Sequence, residues 1–133
     1  MKHVVVCGTF DGVHEGHIYL FEQAKKLGDT LTVVIARDET VKNVKRKKPK
    51  YNEEQRKNMV IQQSFVDAAV LGNLNDPYKI IVELHPDIIA IGYDQKGFAD
   101  NLKQEMIKRN QDVQIVRLDS YKPEIFKSSI INN

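Results

Sequence analysis

The sequence predicts an α/β fold: a Rossmann-like three-layer αβα domain built on a five-stranded parallel sheet. Three observations carry that expectation. Five short apolar runs, most of them rich in Val and Ile, recur at 3–7, 31–36, 65–71, 87–91 and 113–118. Between them lie stretches with helical spacing of apolar residues. Gly8, Gly28 and Gly92, with Pro77 and Pro86, punctuate the junctions. Apolar strands alternating with helices are buried on both faces and pair in parallel.

Taken in order, His3 to Cys7 is a β-branched run stopped by Gly8, as expected of a buried strand. From about Gly16 to Leu27, the residues Ile18, Leu20, Phe21, Ala24 and Leu27 share one helical face, and Gly28 is a C-terminal stop. Leu31 to Ala36 is the second strand. Residues 42–50 gather Lys42, Lys45, Arg46, Lys47, Lys48 and Lys50 around Pro49, the composition of an exposed loop. Asn52 is a suitable N-cap for a helix reaching about Gln63, with Glu53 and Glu54 in its first turn. Phe65 to Leu71 reads as the third strand. Asp76-Pro77 opens a helix that ends before His85-Pro86, and Asp87 to Ile91 is a fourth strand ending at Gly92. Phe98 to Asn110 is helical in pattern, Val113 to Leu118 is the last strand, and a short final helix is expected from Lys127.

The bulk numbers bound the function. A chain of 133 residues suits one domain spanning 1–133, with a sizeable core. Hydrophobic residues at 41% beside charged residues at 29% exclude a disordered or fibrous chain. A net charge of +2 is too small to mark the surface as a nucleic-acid or membrane platform, so neither partner is expected. The lone Cys7 forms no internal disulfide and reads as a small buried hydrophobe rather than a nucleophile. With no signal pattern and no apolar run near about 18 residues, the expected location is the cytoplasm.

Ligands of such sheets bind beyond the carboxyl ends of the strands, where the strand order reverses. Gly8 to His17, Arg37 to Glu39, Gly92 to Gln95 and Arg117 onward all follow strands, so they share that face. The first junction is neither a Walker loop nor a Gly-x-Gly-x-x-Gly turn. Instead His14 and His17 stand three apart at a helix start, with Gly16 between them. Two imidazoles on one face, beside the positive end of a helix, suit a triphosphate, and Gly16 would let its oxygens approach the backbone. His-Glu-x-x-His spacing is absent and the other histidines, His3 and His85, lie in different segments, so no metal site is expected in the protein itself.

Gly8-Thr9-Phe10-Asp11 followed by His14-x-Gly16-His17 resembles the signature of the cytidylyltransferase-like nucleotidyltransferases. Arg37-Asp38-Glu39-Thr40-Val41, Glu54-Gln55-Arg56, the stretch from Lys79 to Pro86 and Gly92-Tyr93-Asp94-Gln95 resemble archaeal-type FAD synthases, with glycerol-3-phosphate cytidylyltransferase a more distant likeness. The resemblance implies direct attack of an acceptor phosphate on the α-phosphorus of an NTP. On the nucleotide side it implies Gly8, Thr9, Phe10, His14, Gly16, His17, Gly92, Asp94, Arg117, Ser128 and Ser129. His14, His17 and Thr9 are the expected catalytic residues, with Arg56 reaching the leaving pyrophosphate. Asp11, Arg37, Asp38 and Asp94 are expected on the acceptor side, although Asp11 can also orient the loop, Asp94 can cap a turn, and Asp38 can pair with Arg37 or cap the next turn. The basic run at 45–48 is either a phosphate clamp or a solvated surface. Magnesium is expected to accompany the triphosphate, held largely by phosphates and water. Arg117 is separated from Ser128 by 119–127, a wider gap than in the cytidylyltransferases.

Three functions follow from this reading. The first is transfer of AMP from ATP to FMN, giving FAD and pyrophosphate. The second is a CTP-dependent transfer to a small alcohol phosphate such as glycerol 3-phosphate. The third, from another class, is a nucleotide-binding sensor without catalysis. A homodimer is compatible with each.

Overall fold

The computed structural model describes residues 2–92 and 96–118. In chain order the elements are β1 (His3–Gly8), α1 (Glu15–Lys25), β2 (Thr30–Ile35), α2 (Asp38–Lys45), α3 (Glu53–Ile61), β3 (Ala68–Leu71), α4 (Lys79–Leu84), β4 (Ile88–Ile91), α5 (Lys96–Lys108) and β5 (Gln114–Arg117). The five strands form one sheet in the order β3-β2-β1-β4-β5, every pair parallel. The chain first builds outward through β2 and β3, then returns to the other side of β1 with β4. The order therefore reverses between β1 and β4, and their carboxyl ends are where an open α/β sheet accepts a ligand.

Strand alternation makes the three layers. Along β4, Ile88 and Ala90 join Val4, Val6, Phe21, Ala24 and Val60 in one core cluster, whereas Ile89 and Ile91 join Ile81, Leu102 and Met106 in a second. Successive side chains of a strand point to opposite faces, so α1 and α3 cover one face of the sheet while α4 and α5 cover the other. The Rossmann-like expectation holds in topology and in layering.

The boundaries sharpen in physically explicable places. Asn52 is the N-cap expected of it: its side chain accepts from the Gln55 N–H at 2.8 Å, and the Gln55 side chain accepts from the Asn52 N–H at 2.9 Å. The basic stretch differs from expectation, because α2 runs from Asp38 to Lys45 and only the residues beyond it remain outside a helix. Lysine is a good helix former, and buried Val41 anchors the turn that the charge run conceals. Arg46 ends the helix in the left-handed region at φ 58°. The third strand begins at Ala68 rather than Phe65, since Asp67 is spent on closing the edge of the sheet. Its N–H donates to the Leu31 carbonyl at 2.9 Å, and its carboxylate accepts from the Leu31 N–H at 2.7 Å and from Lys25. The short helix expected from Lys127 lies outside the described residues.

The bond from Lys25, together with the Leu31 N–H, holds the Asp67 carboxyl below its ordinary value of 3.8. A carboxylate whose value is lower folded than unfolded adds stability above the unfolded value, and that contribution is lost as pH falls through the folded one. Asp67→Asn should therefore lower Tm at pH 7, and the difference from the wild type should shrink as pH falls below the ordinary carboxyl value of 3.8. Thermal unfolding followed by circular dichroism across pH 2 to 8 measures it; a difference that does not depend on pH would sink the assignment.

Candidate active site

A cavity of about 490 Å³ opens at the carboxyl ends of β1 and β4. Cys7, Gly8, Thr9, Phe10, Asp11, Gly12, His14, His17, Leu20 and Gly92 line it. Its shape follows from how the first junction is folded. Phe10 takes the left-handed backbone region at φ 52°, a conformation that costs an L side chain on the order of 1–2 kcal/mol. Burial of its ring offsets that cost: Phe10 is 5% exposed and packs on Phe21 with centroids 5.2 Å apart. A Cβ on Gly8 would stand 2.7 Å from the same ring, so the glycine makes room for it. Asp11 then turns its carboxylate onto the N–H groups of Lys50, at 2.7 Å, and Tyr51, at 2.8 Å. Asp11 thus orients the loop, one of the two roles left open by the sequence.

His14 is the N-cap of α1, and the two histidines cap the helix between them. The Nδ1 of His14 accepts from the Gly16 N–H at 3.0 Å, and the Nδ1 of His17 accepts from the His14 N–H at 3.3 Å. The rings stack with centroids 3.7 Å apart and planes 20° from parallel, and His17 and Phe10 form a T-shaped pair with centroids 5.0 Å apart. An Nδ1 that accepts carries no proton, which assigns the ring proton of each neutral imidazole to Nε2. Each ring therefore carries an N–H donor on the edge away from the backbone.

Gly16 serves the histidine first. Its N–H is engaged by His14, and a Cβ at Gly16 would stand 2.9 Å from His14 Cε1. The glycine thereby has a reason besides the expected approach of phosphate to this backbone, namely close packing of the imidazole over it.

Cys7 lies in the wall, and burial pushes its thiol up to about 12. It remains a thiol at neutral pH, consistent with its reading as a small hydrophobe. Leu20 and Cys7 are cavity residues that the sequence did not assign to the site. Leu20 stands three positions after His17 in α1, a spacing that shares a helix face and could have identified it.

Arg56 requires a correction. The sequence placed it towards the leaving pyrophosphate, but its side chain is wholly buried and is absent from the cavity wall. Nη1 donates to the carbonyls of Thr9 at 2.9 Å and Ala36 at 2.7 Å, Nε donates to the Tyr51 carbonyl at 3.0 Å, and Nη2 pairs with Asp38 at 2.6 Å. Asp38 accordingly pairs with Arg56 rather than with Arg37. Arg37 donates to the Gly72 carbonyl at 2.7 Å and pairs with Glu53 at 2.8 Å.

A second cavity, about 430 Å³, is lined by Asp38, Glu39, Lys42, Lys48, Pro49, Lys50, Asn52 and Gln55. Arg37 lines neither cavity. Arg117, at the end of β5, instead lines a third hollow with Ala99, Asp100, Lys103, Val113 and Ile115, so the described residues do not bring it to His14 and His17. Asp94, Ser128 and Ser129 lie outside the described residues. Among the described residues no group of three or more His, Cys, Asp or Glu could hold a metal ion, and no helix is long and apolar enough to cross a membrane.

The parallel sheet with two histidines capping the helix at its switch point belongs to a nucleotidyltransferase, as its likeness to known proteins shows. Residues 5–132 match the family described as cytidylyltransferase-like. An FAD synthase of Aciduliprofundum boonei is 46% identical over 121 residues, covering 91% of this chain and 80% of the relative. An FAD synthase of Archaeoglobus profundus is 49% identical over 119 residues, covering 89% of this chain and 75% of the relative. The crystal structure of the lipopolysaccharide core biosynthesis protein from Thermoplasma volcanium superposes with a TM-score of 0.86 at 41% identity, covering 92% of this chain and 99% of that one. The chain belongs to the cytidylyltransferase-like family, on the branch of the archaeal-type FAD synthases.

The Gly16 geometry yields a test. In Gly16→Ala the added methyl must displace the His14 ring, while alanine is the better helix former. The variant should keep its Tm within about 4 °C of the wild type. Its turnover in nucleotidyl transfer should fall by about tenfold or more, because the displaced ring no longer holds its place. Unchanged turnover would mean that packing of the imidazole does not require a glycine at this position.

Proposed function

We propose that the enzyme transfers AMP from ATP to FMN, yielding FAD and pyrophosphate. One observation carries the reading: two imidazoles, held with Nδ1 to the backbone and the proton on Nε2, line a cavity at the sheet's switch point. The relatives named FAD synthase support the choice of substrates.

The reaction balances without a covalent enzyme intermediate. A phosphate oxygen of FMN forms the new bond to the α-phosphorus of ATP, the bond from that phosphorus to the bridging oxygen breaks, and pyrophosphate leaves with the electron pair. Negative charge grows on the α- and β-phosphate oxygens as this happens. Donors already fixed in place stabilise that charge without reorganising, which is the largest source of acceleration for such steps. In this reading His14 and His17 supply those donors. Thr9, Gly8, Phe10 and Gly92 form the walls against which the triphosphate lies, and Asp94, Ser128 and Ser129 complete the nucleotide side. Asp11 and Asp38 are engaged by the protein's own donors, so they serve the acceptor side by holding its walls in place.

A magnesium ion carried in with the triphosphate belongs to the same proposal: among the described residues no group of three or more His, Cys, Asp or Glu could hold a metal, and magnesium favours phosphate and water ligands over an all-protein cage. When bound it would neutralise charge on the phosphates. A cytoplasmic setting belongs to the same proposal, because both substrates are soluble metabolites.

A turnover panel crossing ATP and CTP with FMN and glycerol 3-phosphate tests the reading. FAD should form from ATP and FMN, with little product elsewhere; product confined to CTP and glycerol 3-phosphate would overturn it. Within the productive pair, His17→Ala should lower kcat by about 100-fold, as for loss of one oxyanion-type donor, while the lost capping bond lowers Tm by only about 5 °C. Near-normal turnover of that variant would reject the assigned role of the histidine.

A further inference from the structure

Arg56 is the only buried charged side chain among the described residues. Burying a guanidinium costs several kcal/mol unless its donors are met. Here they are met by four separate pieces of chain: the first junction at Thr9, the end of β2 at Ala36, the approach to α3 at Tyr51, and the start of α2 at Asp38. Thr9 lines the cavity of the paired histidines, and Asp38 lines the neighbouring one.

We infer that Arg56 is a positioning residue for nucleotidyl transfer, acting through the Thr9 carbonyl and the Asp38 carboxylate without touching the nucleotide. This rests on the reaction proposed above. Thr9 and Asp11 flank Phe10, whose left-handed backbone is strained. Both flanks are tied to the same neighbouring segment. Arg56 bridges the Thr9 and Tyr51 carbonyls, while Asp11 accepts from the Lys50 and Tyr51 N–H groups. Two ties around one strained residue fix the junction. With the Arg56 tie cut, Phe10 is free to relax, and the wall from Thr9 to His14 moves with it. A shift on the order of 1 Å at reacting groups costs about 100-fold in rate.

Lysine at this position keeps the charge, but its three donors radiate from a single nitrogen and cannot span the four acceptors that Arg56 reaches from Nε, Nη1 and Nη2. Arg56→Lys should lower kcat by about 100-fold. Its KM for ATP and the inhibition constant of added pyrophosphate should stay within about threefold of wild type. Both enzymes are assayed at least about 15 °C below their Tm, so that unfolding does not enter. A weakening of pyrophosphate or ATP binding in proportion to the lost kcat would overturn the inference in favour of direct phosphate contact. A kcat within about threefold of wild type would overturn it as well.

Should Arg56→Lys fail to fold, Asp38→Asn keeps the shape and removes only the partner's charge. Its expected signature is a fall in kcat of about tenfold with the KM values for ATP and FMN unchanged. A change confined to the KM for FMN, or no change in kcat, would overturn the link through Arg56. A wild-type enzyme that makes no FAD would instead sink the proposed reaction, so the two failures are told apart.

Discussion

The arrangement of the site depends on one buried cation. Parallel strands end by sending carbonyls into the layer where the ligand binds, and those carbonyls need donors when water is excluded. At Thr9, Ala36 and Tyr51 the donors come from a single guanidinium, that of Arg56. The chain of contacts continues outward. The Asp38 N–H donates to Glu53 at 2.9 Å, Glu53 pairs with Arg37, and Arg37 donates to the Gly72 carbonyl beyond β3. The β1, β2 and β3 side of the sheet is thereby tied at its carboxyl edge by charge-assisted hydrogen bonds. The β4 side is packed by the apolar cluster of Ile89, Ile91, Leu102 and Met106. Only arginine offers five donors in a fixed plane, which is why no other residue type could serve three carbonyls and a carboxylate together.

Two histidines at a helix start are a weaker cap than serine or aspartate would be. Their advantage is polarity at the other edge of the ring. A serine or aspartate cap presents oxygen to the cavity, and an aspartate there would repel a phosphate. An imidazole whose Nδ1 accepts from the backbone presents an N–H on its far edge. The same hydrogen bonds that satisfy the first turn of α1 therefore set the direction of the donors. Stacking of the two rings and the edge contact from Phe10 remove their remaining freedom, so the donors are aimed before any substrate arrives.

Much of the fold was legible because the strands are buried on both faces, which leaves unbroken apolar runs in the sequence. The Asn52 cap was legible for a local reason, since its partner Gln55 lies three residues away. Helix α2 was not, because its lysines match a loop composition and only Val41 betrays the buried side. Arg56 was misplaced for a related reason. It follows Glu53, Glu54 and Gln55 in what reads as a polar helix face, and its partners Thr9 and Ala36 are distant in sequence, so no local pattern could reveal its burial. Gly16 reads from the sequence as room for a phosphate; that it also makes room for the His14 ring is not legible, because a close approach by a side chain two residues back leaves no mark in periodicity. Arg117 was grouped with the site through its place after a strand; β5 stands at the sheet edge, one strand removed from the switch point.

The two cavities have no lining residue in common, but hydrogen bonds join the wall of one to the wall of the other. Lys50 lines one cavity, and its N–H is held by Asp11, which lines the other. Asp38 lines the first and is held by Arg56, which grips Thr9 in the second. A displacement of either wall must therefore be transmitted through two hydrogen-bonded links rather than absorbed by a flexible loop. For a reaction that joins two phosphates this is a physical advantage: the acceptor and the nucleotide must meet in line, and alignment is kept most cheaply when both sides of the site are built on one rigid frame.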